Sequence, residues 1–390
     1  MRVAINLLTD DPANPSGAHW FWTRVIPEMA TRLTGDEQLH LLVSPASRTS
    51  HSDYGPGDYG QRVRHITFPW SNERRNLRTA SEHLYAPLRL PLSGIDVFST
   101  LMAPIVRPAP GLVVHFKTLH AYTAPGSVSP AARLYRRLSY PRTARVADAI
   151  IINSESLRHE VLHYLDVDPA KLHLIPEAVD HELFHPGDAA DSAEQATHAL
   201  RLRYGVTKPF VLFVSSLWPY KNCAGLLRAF AAAKRELGDR QLVIVGPGRD
   251  GPHAAELAAL ARELGIADDV VWVGGVPITE TVLFYRAADV FVYPSFNETF
   301  GLPILEAMAT GCPVVTSNIS AMPETAGGAA LLADPSDPEA IGQAILDACG
   351  PSADGLREKG LLRASEFSWA RTAERTLDLY RAVHARRGGR

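Results

Sequence analysis

Two carboxylates stand eight positions apart in NETFGLPILE, residues 297–306, with Gly301 and Pro303 between them. The preceding DVFVYPS, residues 289–295, reads as a buried strand. Pro303 suits the first turn of a helix, where its missing N–H is not needed. Ile304, Leu305, Met308 and Ala309 then fit an apolar stripe, and Gly311 stops the helix. Anion binding flanked by hydroxyl recognition is the chemistry this layout allows. The amides of Phe300, Gly301 and Leu302 at the helix N-terminus suit a phosphate, and Gly301 lets the backbone come close. Glu298, ahead of the helix, is placed to hold sugar hydroxyls. Glu306, a turn in and off the apolar stripe, is placed to clamp a ribose diol. A sugar nucleotide carries all these groups. Either glutamate alone fits a capping or surface acid equally well; the pair, with its Gly-Leu-Pro turn after a buried strand, favours the ligand.

The rest of the chain has to position that stretch. It holds 390 residues, enough for two domains, with 46% hydrophobic and 21% charged residues. Net charge is −3, and the basic and acidic counts are 19 and 17 up to residue 180 and 20 and 25 after it. So mild an asymmetry argues against a general nucleic-acid binder. Cys223, Cys312 and Cys349 are widely spaced and odd in number, which suggests neither a disulfide framework nor a zinc site. No apolar run reaches the roughly 20 residues of a membrane helix. MRVAINLLTDDP lacks the apolar core and cleavage site of a signal peptide, so a cytoplasmic chain is expected.

Short apolar runs alternate with helical patterns along the whole length. Strands are expected at 2–8, 38–44, 63–68, 96–100, 112–116 and 148–153, then at 209–216, 240–246, 269–274, 289–295 and 313–317. Phe21, Val25, Ile26, Met29 and Leu33 share one helical face. Runs that are apolar throughout are buried on both faces, and strand–helix alternation implies parallel sheets. The fold class expected is therefore α/β, with two doubly wound Rossmann-like domains. Pro186–Ala199, small and acidic, reads as the linker, and residues 45–62 read as a mobile surface loop. Ligands of such sheets sit outside the carboxyl ends of the strands, so the site is expected in a cleft between the domains.

Two further clusters have two readings each. His19, Trp20, Phe21 and Trp22 are either packing residues or, at Trp20 and His19, a surface for an acceptor. RLYRRLSYPRTAR is either a solvated helix face or a patch, centred on Arg133, Arg136 and Arg137, for anionic lipid or an acidic acceptor.

NETFGLPILEAMATGCPVV resembles the acid-x7-acid signature of glycosyltransferase family 4, the retaining group 1 enzymes of GT-B fold. VLFVSSLWPYKN, VWVGGVPITETVLFYRAADVFVYPS and SNISAMPETAGGAALLADPSDPEAI resemble the family's flanking segments. VADAIIINSESLRHEVLHYLDVDPAKLHLIPEAVDHELFHP resembles the end of its N-terminal domain. The resemblance implies an acceptor domain over 1–185, a nucleotide-sugar domain over 186–370, and a terminal helix, 371–390, returning to the first domain. It implies catalytic roles for Glu298, His120 and Lys221, with Lys221 as the phosphate-binding lysine and His120 near the donor sugar. It makes Gly17 the glycine loop facing the diphosphate, Gly275 and Val276 backbone contacts to the base, and Ser216 a donor contact where many members carry Arg. The family's usual Asp after the histidine is Ala121 here.

The implied reaction moves a hexose from GDP-mannose or a UDP-hexose to a hydroxyl of a glycan, lipid-linked or small-molecule acceptor, with retention. The sugar nucleotide is a co-substrate; no cofactor and no metal are expected, because no Asp-x-Asp stands where a metal-bridged diphosphate needs it. No nucleic-acid partner is expected, and membrane contact would be peripheral, at the cytoplasmic membrane. A sugar-nucleotide epimerase and a non-catalytic sugar-nucleotide binder on the same fold are the alternatives.

Overall fold

The computed structural model describes residues 1–8, 17–50, 62–68, 81–101, 110–187, 191–248 and 252–388. The chain divides into two compact units. One comprises Met1–Glu177 with Trp369–Arg390, the other Ala178–Ser368.

The first unit is built on a seven-stranded parallel sheet. Its strands are β1 (Arg2–Asn6), β2 (Gln38–Val43), β3 (Val63–Thr67), β4 (Val97–Thr100), β5 (Gly111–His115), β6 (Ala149–Ile152) and β7 (Leu172–Leu174), in the order β3-β2-β1-β4-β5-β6-β7. Alternation along β1 sends Val3 and Ile5 to one face and Ala4 to the other. One face packs on Phe21, Val25, Ile26 and Met29 of the Gly17–Thr31 helix. The other packs on Leu157 and Val161 of the Glu155–Tyr164 helix. Each such buried aliphatic side chain is worth about 1.5–3 kcal/mol, which is why strands apolar on both faces need helices on both sides.

The Trp369–Gly388 helix completes the first of these cores with Leu377, Tyr380 and Val383. The Tyr380 hydroxyl donates to Ser99 Oγ at 2.7 Å, and Ser99 bonds His115 Nε2 at 3.0 Å. Burial, then the charge of Lys117, keeps His115 well below the usual histidine range, so this cluster is neutral packing. At the surface Arg381 grips Glu37 with two bonds, 2.8 and 2.9 Å. That hydrogen bonding holds the Glu37 carboxyl at about 2.

The second unit carries a six-stranded parallel sheet: β8 (Phe210–Val214), β9 (Gln241–Val245), β10 (Val270–Gly274), β11 (Val290–Tyr293), β12 (Val314–Ser317) and β13 (Leu331–Ala333). The order β10-β9-β8-β11-β12-β13 reverses direction between β8 and β11. Loops leaving two strands that part in this way open a crevice for ligands.

Three expectations change. The residues read as a linker are partly helical, since Asp191–Tyr204 forms a helix whose Ala196 and Leu200 are buried. The division between the units falls at 177/178 and 368/369, ahead of the expected boundaries. Of the stretch read as a surface loop, Pro45–Ser50 is a short helix held by reciprocal Ser44 and Ser47 bonds, and 51–61 lie outside the described residues.

Candidate functional site

The loop after β8 and the loop after β11 meet at the crevice of the second unit. The amide of Phe296 donates to the carbonyl of Tyr220 at 2.8 Å and ties them together. Asn222 tightens the join. It adopts a left-handed conformation at φ 59° and caps the Cys223–Leu237 helix through Gly225 N. Its side-chain amide donates to the carbonyls of Pro294 and Pro335, at 3.0 and 2.7 Å. Backbone strain at a non-glycine residue costs on the order of 1–3 kcal/mol, and the three bonds that Asn222 makes offset it.

Asn222 sets Lys221, which is 9% exposed. The Lys221 ammonium donates to Glu298 Oε1 at 2.5 Å and to the Tyr293 hydroxyl at 2.7 Å. The Tyr293 hydroxyl donates in turn to the same Glu298 oxygen at 2.8 Å. Lysine, tyrosine and glutamate thus close a three-membered ring of hydrogen bonds. Burial and the Glu298 charge push the Tyr293 phenol well above its ordinary range, so it stays a neutral donor. The same causes push Tyr220, whose ring centroid lies 5.0 Å from the ammonium, to about 12.

Glu298 is also fixed through its backbone. Its N–H donates to Ser320 Oγ at 3.1 Å, and Ser320 Oγ donates back to its carbonyl at 2.7 Å. Ser320 holds φ 59° to make that clamp. Further along, Thr325 Oγ1 donates to the Phe300 carbonyl. Gly301, at φ 89°, caps the Leu302–Ala309 helix, with Pro303 in its first turn. Pro303 has no N–H, and the Ile304 N–H donates to the Gly301 carbonyl at 2.9 Å, so the N–H groups this turn can turn to an anion are those of Gly301 and Leu302.

Glu306 sits on that helix with part of its side chain accessible, and its carboxylate lies deep among protein atoms. Tyr285 donates to Glu306 Oε2 at 3.0 Å. Burial outweighs that bond and raises the carboxyl to about 7.

The other candidates are distributed as follows. Ser216 is half-buried in the loop leaving β8. That loop presses on Gly246, where a Cβ would lie 1.9 Å from the Ser215 carbonyl oxygen. Gly275 follows β10, where a Cβ would lie 3.8 Å from Pro247, and Val276 packs against the core. Gly17, His19, Trp20 and His120 belong to the first unit. Gly17 opens its helix with open space around a built Cβ, and residues 9–16 before it lie outside the described residues. Phe21 and Trp22 are core residues, whereas His19 and Trp20 are half-buried. His120 opens the short His120–Thr123 helix beyond β5 and is half-buried.

Sequence reasoning sent Lys221 and Glu298 separately to a ligand and missed that they bind each other. It also missed Tyr293, Tyr285 and Ser320. The tyrosines carried one signal: each is a hydroxyl-bearing residue in an otherwise apolar run, DVFVYPS and ETVLFYRA. Among the described residues no group of three His, Cys, Asp or Glu is disposed to hold a metal ion, and no helix is long and apolar enough to cross a membrane.

Comparison with known proteins bears on both units. Residues 196–350 match the family described as Glycosyl transferases group 1, and residues 23–183 match Glycosyltransferase Family 4. The chain is 33% identical over 255 residues to a D-inositol 3-phosphate glycosyltransferase of Corynebacterium glutamicum, covering 63% of this chain and 60% of that protein. It is 36% identical over 192 residues to O-antigen chain mannosyltransferase B of Escherichia coli, covering 45% of this chain and 46% of the other. The match therefore spans less than two thirds of the length of either relative. Among solved structures, Anabaena HepE in complex with UDP-glucose superposes with a TM-score of 0.73 at 17% identity, over 98% of this chain and all of the other.

Proposed function

Because the chain belongs to the group 1 glycosyltransferases of family 4 and has their GT-B fold, we propose that it transfers a hexose from a nucleoside diphosphate sugar to an acceptor hydroxyl. The observation that carries this reading is the Lys221–Tyr293–Glu298 ring beside the Gly301 turn, at the crevice between β8 and β11.

Each part then has a task. An ammonium carries three N–H bonds. Two of Lys221's serve Tyr293 and Glu298, and the third would serve an oxygen of the leaving diphosphate. The amides of Gly301 and Leu302 at the start of the Leu302–Ala309 helix would share that charge. Glu298, pinned at its side chain and backbone, would accept bonds from donor-sugar hydroxyls. Glu306 would receive the ribose diol, and Gly275 and Val276 would border the base. For His120, Gly17, Trp20 and His19, which belong to the first unit, the proposed roles rest on the family resemblance alone.

The transfer proposed retains configuration. The acceptor oxygen would bond the anomeric carbon on the face from which the diphosphate departs, and a departing phosphate oxygen would take the acceptor proton. Glu298, occupied by Lys221 and Tyr293, suits positioning and charge stabilisation better than the nucleophilic role of a double displacement. No metal and no resident cofactor enter this scheme. The named mannosyltransferase among the relatives and the UDP-glucose bound by HepE support GDP-mannose and UDP-hexoses as the two donor classes to test first.

Calorimetric titration of GDP and UDP into wild type and Glu306→Ala decides the donor side. Binding of one nucleotide, weakened about tenfold or more by the substitution, supports the reading and names the base. Absence of binding by both would remove its basis. Turnover separates catalyst from mere binder: Glu298→Ala should abolish sugar transfer while nucleotide binding survives, and NMR of the product's anomeric centre reads the stereochemistry.

A further inference from the structure

The Glu306 carboxylate is held by one oxygen. Tyr285 donates to its Oε2 at 3.0 Å, and Oε1 bonds nothing among the described residues. One oxygen is thus engaged inside the protein, while the other is left over on a side chain that is partly accessible. Tyr293 holds Glu298 in the same manner. Each carboxylate of NETFGLPILE is therefore met by a buried phenol from an element that precedes it.

Tyr285 comes from the Ile278–Ala287 helix, whose Thr281, Val282 and Phe284 are buried with it. Phe184 and Phe291 meet its ring edge-on, with centroids 6.0 and 5.2 Å away. Boxed in this way, the ring has one place for its hydroxyl. Burial, then the charge of Glu306, keeps the phenol well above its ordinary range, so it stays protonated and donates. A phenylalanine would fill the same space without burying a polar atom. The hydroxyl is therefore surplus to packing, and its bond to Glu306 has to offset the cost of its desolvation.

What the bond supplies is a fixed carboxylate. A glutamate side chain has three rotatable bonds, and freezing them when a ligand arrives costs rotamer entropy. A bond to Oε2 that exists beforehand removes much of that cost and sets the plane in which Oε1 accepts. The helix that carries Tyr285 also starts beside the residues assigned to the base: Gly275 and Val276 lead into it through Pro277, its N-terminal cap. One helix would so connect the base contacts to the group that faces the ribose.

We propose that Tyr285 is a positioning residue for the nucleotide: by holding one oxygen of Glu306 it aims the other at the ribose diol. This role rests on the reading of Glu306 as the group that receives the ribose. A bond that served only to stabilise the fold would treat every nucleotide alike, whereas a positioning bond matters only to a ligand that has the diol.

The experiment is calorimetric titration of the full chain with GDP, UDP and their 2′,3′-dideoxy counterparts, in wild type, Tyr285→Phe, Glu306→Ala and the double variant. Wild type should bind the ribonucleotide more tightly than the dideoxy form. Tyr285→Phe should weaken the ribonucleotide about tenfold and leave the dideoxy form unchanged, which also shows that the variant is folded. Added to Glu306→Ala, it should change nothing further, because both act through one carboxylate. In turnover the loss should fall on donor KM rather than on kcat. If Glu306→Ala erases the preference for ribose and Tyr285→Phe leaves it intact, the proposal falls and the reading of Glu306 stands. Equal weakening of both forms by Tyr285→Phe would make the bond purely structural and overturn the proposal as well. A wild type that binds neither nucleotide, or that binds both sugar forms equally, would overturn the reading of Glu306 and the role of Tyr285 with it.

Discussion

Lys221 and Glu298, 77 positions apart in sequence, meet at 2.5 Å with only 11% and 13% of their side chains exposed. So little water reaches this pair that its partners are not interchangeable with solvent. Removing one member of a buried pair strands the other, at about 3–5 kcal/mol. Lys221→Met should therefore lower the stability of the second unit by about 3 kcal/mol, read from urea unfolding. Lys221→Met/Glu298→Gln should recover part of that loss. Strict additivity of the two single changes would show that they do not act on one interaction.

Tyr293 is the third member of the ring and is testable with little disturbance. Tyr293→Phe keeps the buried ring and deletes the hydroxyl that touches both partners. Stability should fall by only about 1–2 kcal/mol. Turnover should fall about ten- to a hundredfold, because Glu298 and Lys221 lose a common anchor and small misplacements are costly to the rate. The loss should lie in kcat with donor KM little changed. A purely structural role would leave kcat intact once the variant is folded.

Glu306 predicts a pH dependence of defined sign. Burial lifts its carboxyl from the ordinary 4.5 to about 7. Between those values the folded chain keeps a proton that the unfolded chain releases. Stability contributed by this group thus falls as pH rises through that window, by up to about 3 kcal/mol, and levels off above it. Glu306→Gln, uncharged throughout, should flatten the slope of unfolding midpoint between about pH 5 and about pH 8. An identical slope in wild type and variant would remove Glu306 as its source. If the ionised carboxylate accepts the ribose bonds, nucleotide affinity should rise with pH through about 7 in wild type alone.

Gly246 should tolerate no side chain. A methyl group there would meet the Ser215 carbonyl oxygen at 1.9 Å, and φ is 147°. The obstacle is backbone, not the end of a flexible side chain. Gly246→Ala should cost about 3 kcal/mol or more and displace the loop that leads to Lys221. A midpoint within experimental error of wild type would show that the β8 and β9 exits yield more readily than their close packing implies.

Most of the sheet was legible because each central strand is apolar on both faces, as in VLFV of β8 and LVIV of β9. The short edge strands were not. Leu172–Leu174 and Leu331–Ala333 have only three residues each and mixed burial, too few to establish a period. The Asp191–Tyr204 helix hid because Ala196 and Leu200 are its fully buried anchors and small polar residues fill its start. At the site, NETFGLPILE announced the turn, the helix and both carboxylates. The ring could not be read, since its closure depends on β8 and β11 lying side by side, which no local pattern encodes. Tyr293 looked like one more apolar strand residue until its hydroxyl had neighbours.

The helix Trp369–Gly388 belongs to the unit that begins at Met1. The first unit is therefore assembled from two segments, whereas the second, Ala178–Ser368, is continuous. During synthesis the second unit has its whole sequence in hand while the first still lacks Leu377, Tyr380 and Val383. On the face of the β1–β5 region that the Gly17–Thr31 helix shares with the terminal helix, the part that Leu377, Tyr380 and Val383 cover must wait through the making of nearly two hundred intervening residues. Damage to this helix should accordingly register as aggregation of nascent chains rather than as a defect of the second unit, and residues around Tyr380 set when the earliest-made part of the chain becomes safe from its neighbours.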